Sequence, residues 1–202
     1  MIKHEQFVTP YPFRLAFCYI DKPRTFKDTD SKPKYDIKGM MPKEDDRLYQ
    51  FMNNKVIETF KAQWPKASDK LIANMRNPIK DGDEEADNAA ANDKDMEFVR
   101  GMWTFKAASL FAPVCYDKTN AVTQDREAGF YPGAYVAAVL QPNAYDTQGV
   151  KGVNFYLQAI GRVADGEHLR SASADHSNAF AGVERKEVND NPMGLDTNTT
   201  EF

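Results

Sequence analysis

Residues 129–163, GFYPGAYVAAVLQPNAYDTQGVKGVNFYLQAIGRV, constrain the fold more than any other stretch. Segments 133–141 and 152–163 are rich in Tyr, Val, Phe and Ile and read as two long strands. Between them Asp146, Thr147, Gln148 and Gly149, with Gly152 just beyond, supply the residues of a tight hairpin turn. Side chains alternate across a strand, so Val153, Phe155, Leu157 and Ala159 share one face. Asn154, Tyr156, Gln158 and Arg162 share the other, together with Ile160. The apolar face can close a core. The face of ring, amides and cation can meet a polar ligand.

The preceding chain supplies partners for this hairpin. Residues 11–21 alternate as a first strand, with Phe13, Leu15, Phe17 and Tyr19 opposite Arg14, Ala16, Cys18 and Ile20. Residues 22–33 hold two prolines and predict a loop projecting Lys22, Arg24, Lys27 and Lys32. Residues 34–41 predict a second strand with Tyr35 and Ile37 inward and Lys34, Asp36 and Lys38 outward, ended by Pro42. The clearest helix is 44–63. Glu44, Asp45 and Asp46 favour its positive end, and Leu48, Phe51, Met52, Val56 and Phe60 form an apolar stripe. Pro65 ends it, and a shorter helix follows over 68–76.

Residues 81–97 carry eight acids and one Lys, a composition that favours a mobile loop over a polar helical insertion. Strand character returns over 98–110, where Met102, Thr104, Lys106 and Ala108 alternate with Trp103, Phe105, Ala107 and Ser109. A short strand over 112–117 and a polar connection over 121–129 lead into the hairpin. Residues 187–202 read as a disordered acidic tail ending in Glu201 and Phe202.

Strand, strand, helix and four strands make a mainly β chain with some α content. Five or so strands with one main helix after the second strand is the make-up of an OB-fold-like antiparallel barrel. A different β-barrel or an α+β sandwich satisfies the same order. At 202 residues, one domain over 1–186, carrying the insertion 81–97, and a tail over 187–202 are expected.

The net charge of −4 conceals a segregation. Residues 1–43 hold nine Lys and Arg against five Asp and Glu, while 187–202 hold four acids and no base. Setting 81–97 and 187–202 aside leaves a body of net charge +7. That body favours a polyanionic partner. No run approaches the ~20 apolar residues of a membrane span, and no charged-then-apolar leader pattern opens the chain. Cys18 and Cys115 read as isolated buried thiols, so an intracellular protein without membrane association is expected. His4, His168 and His176 form no metal-ligand spacing, and there is no phosphate-binding glycine loop or nucleophile elbow. Asp81, Asp83, Glu84, Glu85 and Asp87 fail the calcium-loop pattern, because Gly82 stands second instead of sixth. No enzyme, metal or cofactor is expected.

Residues 33–43, PKYDIKGMMPK, resemble the second-strand motif of a phage family of single-stranded-DNA-binding proteins, long classed as a domain of unknown function. Residues 129–136, GFYPGAYV, resemble its second signature, and 149–155, GVKGVNF, followed by 162–167, RVADGE, resemble its third. The resemblance spans roughly residues 10–167 in the same order; segment 81–97 stands outside the family's pattern. It implies an OB-fold and single-stranded-DNA binding in the cytoplasm of an infected bacterial host.

Single-strand binders need a cationic groove along the phosphates and aromatic faces for the bases. The candidate cations are Arg14, Lys22, Arg24, Lys27, Lys32, Lys34, Lys38, Lys106, Lys151 and Arg162, and the candidate rings are Trp103, Phe105, Tyr116, Phe130, Tyr131 and Tyr156. The tail, with Asp196, Glu201 and terminal Phe202, resembles the acidic, aromatic-ended tails of replication single-strand binders of the bacteriophage T7 type. It is expected to contact a phage or host polymerase or helicase, and self-association on DNA is a further expectation. The competing functions are a strand-annealing recombination mediator and a phage assembly protein that binds no nucleic acid.

Overall fold

The computed structural model describes residues 5–25 and 32–169. Its strands are Phe7–Val8 (β1), Phe13–Arg24 (β2), Lys34–Pro42 (β3), Ile79–Asp81 (β4), Met102–Ser109 (β5), Val114–Tyr116 (β6), Tyr135–Thr147 (β7) and Val150–Ala164 (β8). Its helices are Arg47–Gln63 (α1), Asp69–Ala73 (α2), Gly82–Ala90 (α3) and Arg126–Gly129 (α4). Lys27 and the tail residues Asp196, Glu201 and Phe202 lie outside the described residues.

The β7–β8 hairpin forms where the turn chemistry puts it. Thr147 faces Val150, and Gln148 and Gly149 between them have φ of 52° and 82°. Two consecutive positive φ values define a type I′ turn, whose twist matches that of the strands it joins. Around the hairpin the hydrogen-bonded neighbours run β2, β3, β5, β8, β7 and back to β2. The sheet is therefore mainly β and pairs back on itself. It is not wholly antiparallel, because β8 runs parallel to both β5 and β6.

Phe13, Leu15, Ile37, Phe105, Phe155 and Leu157 are all at most 2% exposed. The ring of Phe105 meets Phe13 and Phe155 edge-on, with centroids 4.9 Å and 6.2 Å away. Such contacts add to the area buried by each ring. Helix α1 lies against β7 and β8 and buries Leu48, Met52, Val56 and Phe60, one residue every turn. It begins at Arg47, with Asp46 at its N-cap, later than the 44 expected.

Two bulges alter which side chains face the core. In β2 Leu15 pairs with Gly39 and Phe17 with Lys38, so Ala16 is an extra residue. The alternation inverts there, and Phe17 and Tyr19 point outward although Phe13 and Leu15 point inward. In β8 Leu157 pairs with Leu140 and Ala159 with Val139, leaving Gln158 extra. Beyond it Ile160 is buried, and Arg162 shares that inner side instead of the face of Tyr156. Strand β2 also runs on to Arg24, which places Lys22 and Arg24 on a strand and not in a loop.

The acidic stretch 81–97 contains the helix α3. Asp81 caps it by accepting from the Asp83 amide, and Asp83, Glu84 and Glu85 sit at its positive end. Ala86 and Ala89 face inward, one turn apart. Ala86 and Val99 pack with Ala16 and Met40 on the outer face of β2 and β3, flanked by Phe17 and Phe98. Capping, dipole and small-residue packing outweigh the like-charge repulsion that favoured mobility.

Candidate nucleic-acid interface

Strand β5 changes partner along one edge. Ile79, Lys80 and Asp81 of β4 face Phe105, Thr104 and Trp103, whereas β8 joins β5 only where Ala107 and Ala108 face Phe155 and Tyr156. Lys106 stands at the changeover. There the sheet opens into a cleft of about 500 Å³ walled by Arg76, Asn77, Lys80, Glu85, Thr104, Lys106, Tyr145 and Asn154, among others. A second hollow of about 240 Å³ shares Lys106 and Asn154 and adds Lys34, Leu110 and Tyr156. A third, of about 400 Å³, shares Leu110 and Tyr156 and adds Phe111 and Gln158. The three form one groove over the outer face of β5 and β8, from Arg76 to Phe111.

Strand pairing explains why polar residues line it. Lys38 and Lys106 face each other on β3 and β5, Asn154 and Asn143 on β8 and β7, and Lys106 and Asn154 meet across the opening. Tyr19, Asp36, Ala108, Tyr156 and Gln141 form the adjacent row, beginning on β2. The amides pair with one another, Asn143 donating to Asn154 at 3.2 Å and Gln158 to Gln141 at 3.2 Å. Among the described residues Arg76, Lys80, Lys106 and Lys34 have no carboxylate partner within ion-pair distance. Glu85, the one carboxylate among the described residues on the cleft wall, accepts from the Lys38 ammonium at 2.6 Å and the Thr104 hydroxyl at 2.5 Å. The open cleft therefore presents uncompensated positive charge.

Lys34, Lys106 and Tyr156 meet in this groove, with Tyr156 42% exposed. The other candidates lie elsewhere or are engaged. Phe105 is 1% exposed and Phe130 4%, so both rings belong to the core. Trp103 lies on the inner side of β5, stacked on Tyr49 at 4.4 Å. Lys38 points outward as expected but is only 5% exposed, and burial pulls its ammonium below the usual lysine value despite Glu85. Arg24 grips Asp36 through two bonds of 2.9 Å and 3.0 Å and lies over Tyr19.

Arg14 donates to the Gly133 and Glu167 carbonyls. Tyr131 stacks on His168 and bonds Gly166, which ties down the segment after β8. Arg162 pairs with Asp165. Lys151 pairs with Asp146 at 2.6 Å. Tyr116 is half-buried on β6 and Lys32 exposed ahead of β3. Lys22 lines a separate hollow with Tyr19, Arg126 and Tyr131.

Arg76, Lys80, Tyr145 and Phe111 were not among the sequence candidates. Arg76 is held by main-chain bonds from its amide to the Lys151 carbonyl and from the Val153 amide to its own carbonyl. Its place beside β8 follows from tertiary pairing alone. Phe111 did carry a signal: an aromatic in the Leu-Phe-Ala-Pro link between β5 and β6 has little strand to bury it, and it is 81% exposed.

The family described as the ssDNA-binding protein of Enterobacter phage Enc34 matches residues 6–191. The chain belongs to that family. Among solved structures, the single-stranded DNA-binding protein from bacteriophage Enc34 is 21% identical, with 87% of this chain and 89% of that chain covered and a TM-score of 0.63. The same phage protein in complex with ssDNA is 20% identical over 82% and 89%, with a TM-score of 0.64. Gp2.5, a single-stranded DNA binding protein encoded by bacteriophage T7, is 15% identical over 92% and 99%, with a TM-score of 0.57. These likenesses establish the shared fold. No curated protein sequence matches the chain significantly. Among the described residues no group of His, Cys, Asp and Glu could hold a metal ion, and no helix is long and apolar enough to cross a membrane.

Proposed function

We propose that this member of the Enc34 single-strand-binding family binds single-stranded DNA with little sequence preference along the groove over β5 and β8. The observation that carries the reading is that Arg76, Lys80, Lys106 and Lys34, which have no carboxylate partner among the described residues, share one continuous surface with the half-buried ring of Tyr145 and the exposed rings of Tyr156 and Phe111. Cations follow phosphates of any sequence, and every base has a face that can stack on a ring, for about 1–3 kcal/mol each. The sheet reads as an OB-type barrel, supported by five strands that pair back to the first and by the ligand groove on the sheet's outer face.

The role is non-enzymatic: coating of single strands during phage DNA replication, recombination or repair in the infected host. The acidic tail with Asp196, Glu201 and Phe202 is the contact for a polymerase or helicase, on the strength of its charge and aromatic end. Titration of labelled oligo-dT at two salt concentrations tests the binding. Log affinity falls with log salt by about 0.7 per phosphate neutralised. A flat response contradicts the reading.

A further inference from the structure

Helix α3 brings a carboxylate to the rim of the proposed groove. Glu85 lines the same cleft as Lys80 and Lys106, and it is held there from two sides. The Lys38 ammonium reaches it at 2.6 Å and the Thr104 hydroxyl at 2.5 Å. Lys38 and Lys106 are cross-strand partners on the outer face, so the carboxylate cancels one of two adjacent cations. Its surroundings, an ammonium and a hydroxyl beside a second open ammonium, are those that receive a backbone phosphate oxygen. The helix is fixed in place by Ala86 packed with Val99 and Met40, and by Lys43 bonded to Asp81 and Asp83 at 2.6 Å and 2.7 Å.

We propose that Glu85 is a built-in stand-in for a DNA phosphate at Lys38, which removes one phosphate-binding position from the groove and sets how tightly the protein holds a strand. The inference rests on the single-strand-binding reading above and concerns the regulation of that same groove. A moderate grip suits a protein that must release its strand to passing enzymes. With Glu85 neutral, Lys38 adds its charge to that of Lys106, and a phosphate is drawn to the cleft wall beside the two ammonium groups.

Three variants test it by oligo-dT anisotropy across a salt series. Glu85→Gln keeps an oxygen for Thr104 and Lys38 and is expected to tighten binding several-fold at low salt, with a log–log salt slope steeper by about 0.7. Glu84→Gln removes an exposed acid from the same helix outside the cleft lining and is expected to leave the slope unchanged. The double variant Lys38→Gln/Glu85→Gln loses both charges, leaves no unpaired ion to destabilise the fold, and is expected to return to the slope of the unsubstituted chain. Equal affinity and slope in Glu85→Gln, an equal gain in Glu84→Gln, or a steep slope in the double variant overturns the proposal. In each of those results the unsubstituted chain still binds. Absence of binding by that chain overturns the single-strand reading itself.

Discussion

Lys38 and Lys106 face each other across β3 and β5, yet Lys38 is buried against Glu85 while Lys106 opens into the cleft. Register alone gives both residues the same outward direction. What separates them is Glu85 of α3, which pairs with Lys38 at 2.6 Å, whereas no carboxylate among the described residues pairs with Lys106. Lys106→Gln is therefore expected to weaken oligo-dT binding about equally for different sequences and to lower the log–log salt slope by about 0.7. Lys22→Gln, on the separate hollow beside Tyr131, is the comparison and is expected to change the slope little.

Tyr156 and Phe105 sit on neighbouring strands with opposite fates. Tyr156→Ala removes a half-open ring from the groove, with an expected loss of about 1–3 kcal/mol of DNA binding at nearly unchanged melting temperature. Phe105→Ala hollows the centre of the core, with an expected loss of about 3–5 kcal/mol of stability. Paired binding and denaturation curves distinguish the two. A Tyr156→Ala protein that melts early but binds normally contradicts the assignment.

Gly39 has a packing reason to be glycine. A Cβ there would stand 2.4 Å from the Phe105 ring and 2.7 Å from that of Phe13. Because both rings are locked in the core, neither can give way cheaply. Gly39→Ala is expected to destabilise the protein by about 1–3 kcal/mol, read as a lower denaturation midpoint.

Much of the architecture is legible in the sequence because it is local. The Gln148–Gly149 turn, the one-per-turn stripe of α1 and the apolar face of Val153, Phe155 and Leu157 follow from residue chemistry within a few positions. The bulges at Ala16 and Gln158 are not legible that way, since each is set by its partner strand. They invert the alternation and so displace Phe17, Tyr19 and Arg162 from the sides expected of them. Likewise, the order of α3 depends on Ala86 finding Met40 and Val99, and the cleft at Lys106 depends on where β4 ends and β8 begins. A groove made by a partner change leaves its cations, Arg76 and Lys80, with no pattern of their own in the chain.

Asp165 gives the fold an acid signature. Its carboxyl, bonded first to Lys118 and then to Arg162, is held down to about 2. A carboxylate depressed in the folded state contributes stability that is complete above its unfolded value near 3.9 and lost as pH falls through the folded one. The stability difference between the unsubstituted protein and Asp165→Asn is expected to be constant above about pH 4 and to shrink toward pH 2. Denaturation midpoints at several pH values check this, and a difference that persists at pH 2 contradicts it.

The most direct test of the groove is fluorescence anisotropy of labelled oligo-dT at low and moderate salt, with duplex DNA as competitor, on the unsubstituted chain and on Arg76→Gln/Lys106→Gln. The unsubstituted chain is expected to bind in a salt-sensitive way that duplex displaces poorly. The double variant is expected to show a salt slope lower by about 1.4, two phosphate contacts at about 0.7 each. Unchanged affinity and slope in that variant would show that the strand runs elsewhere on the protein.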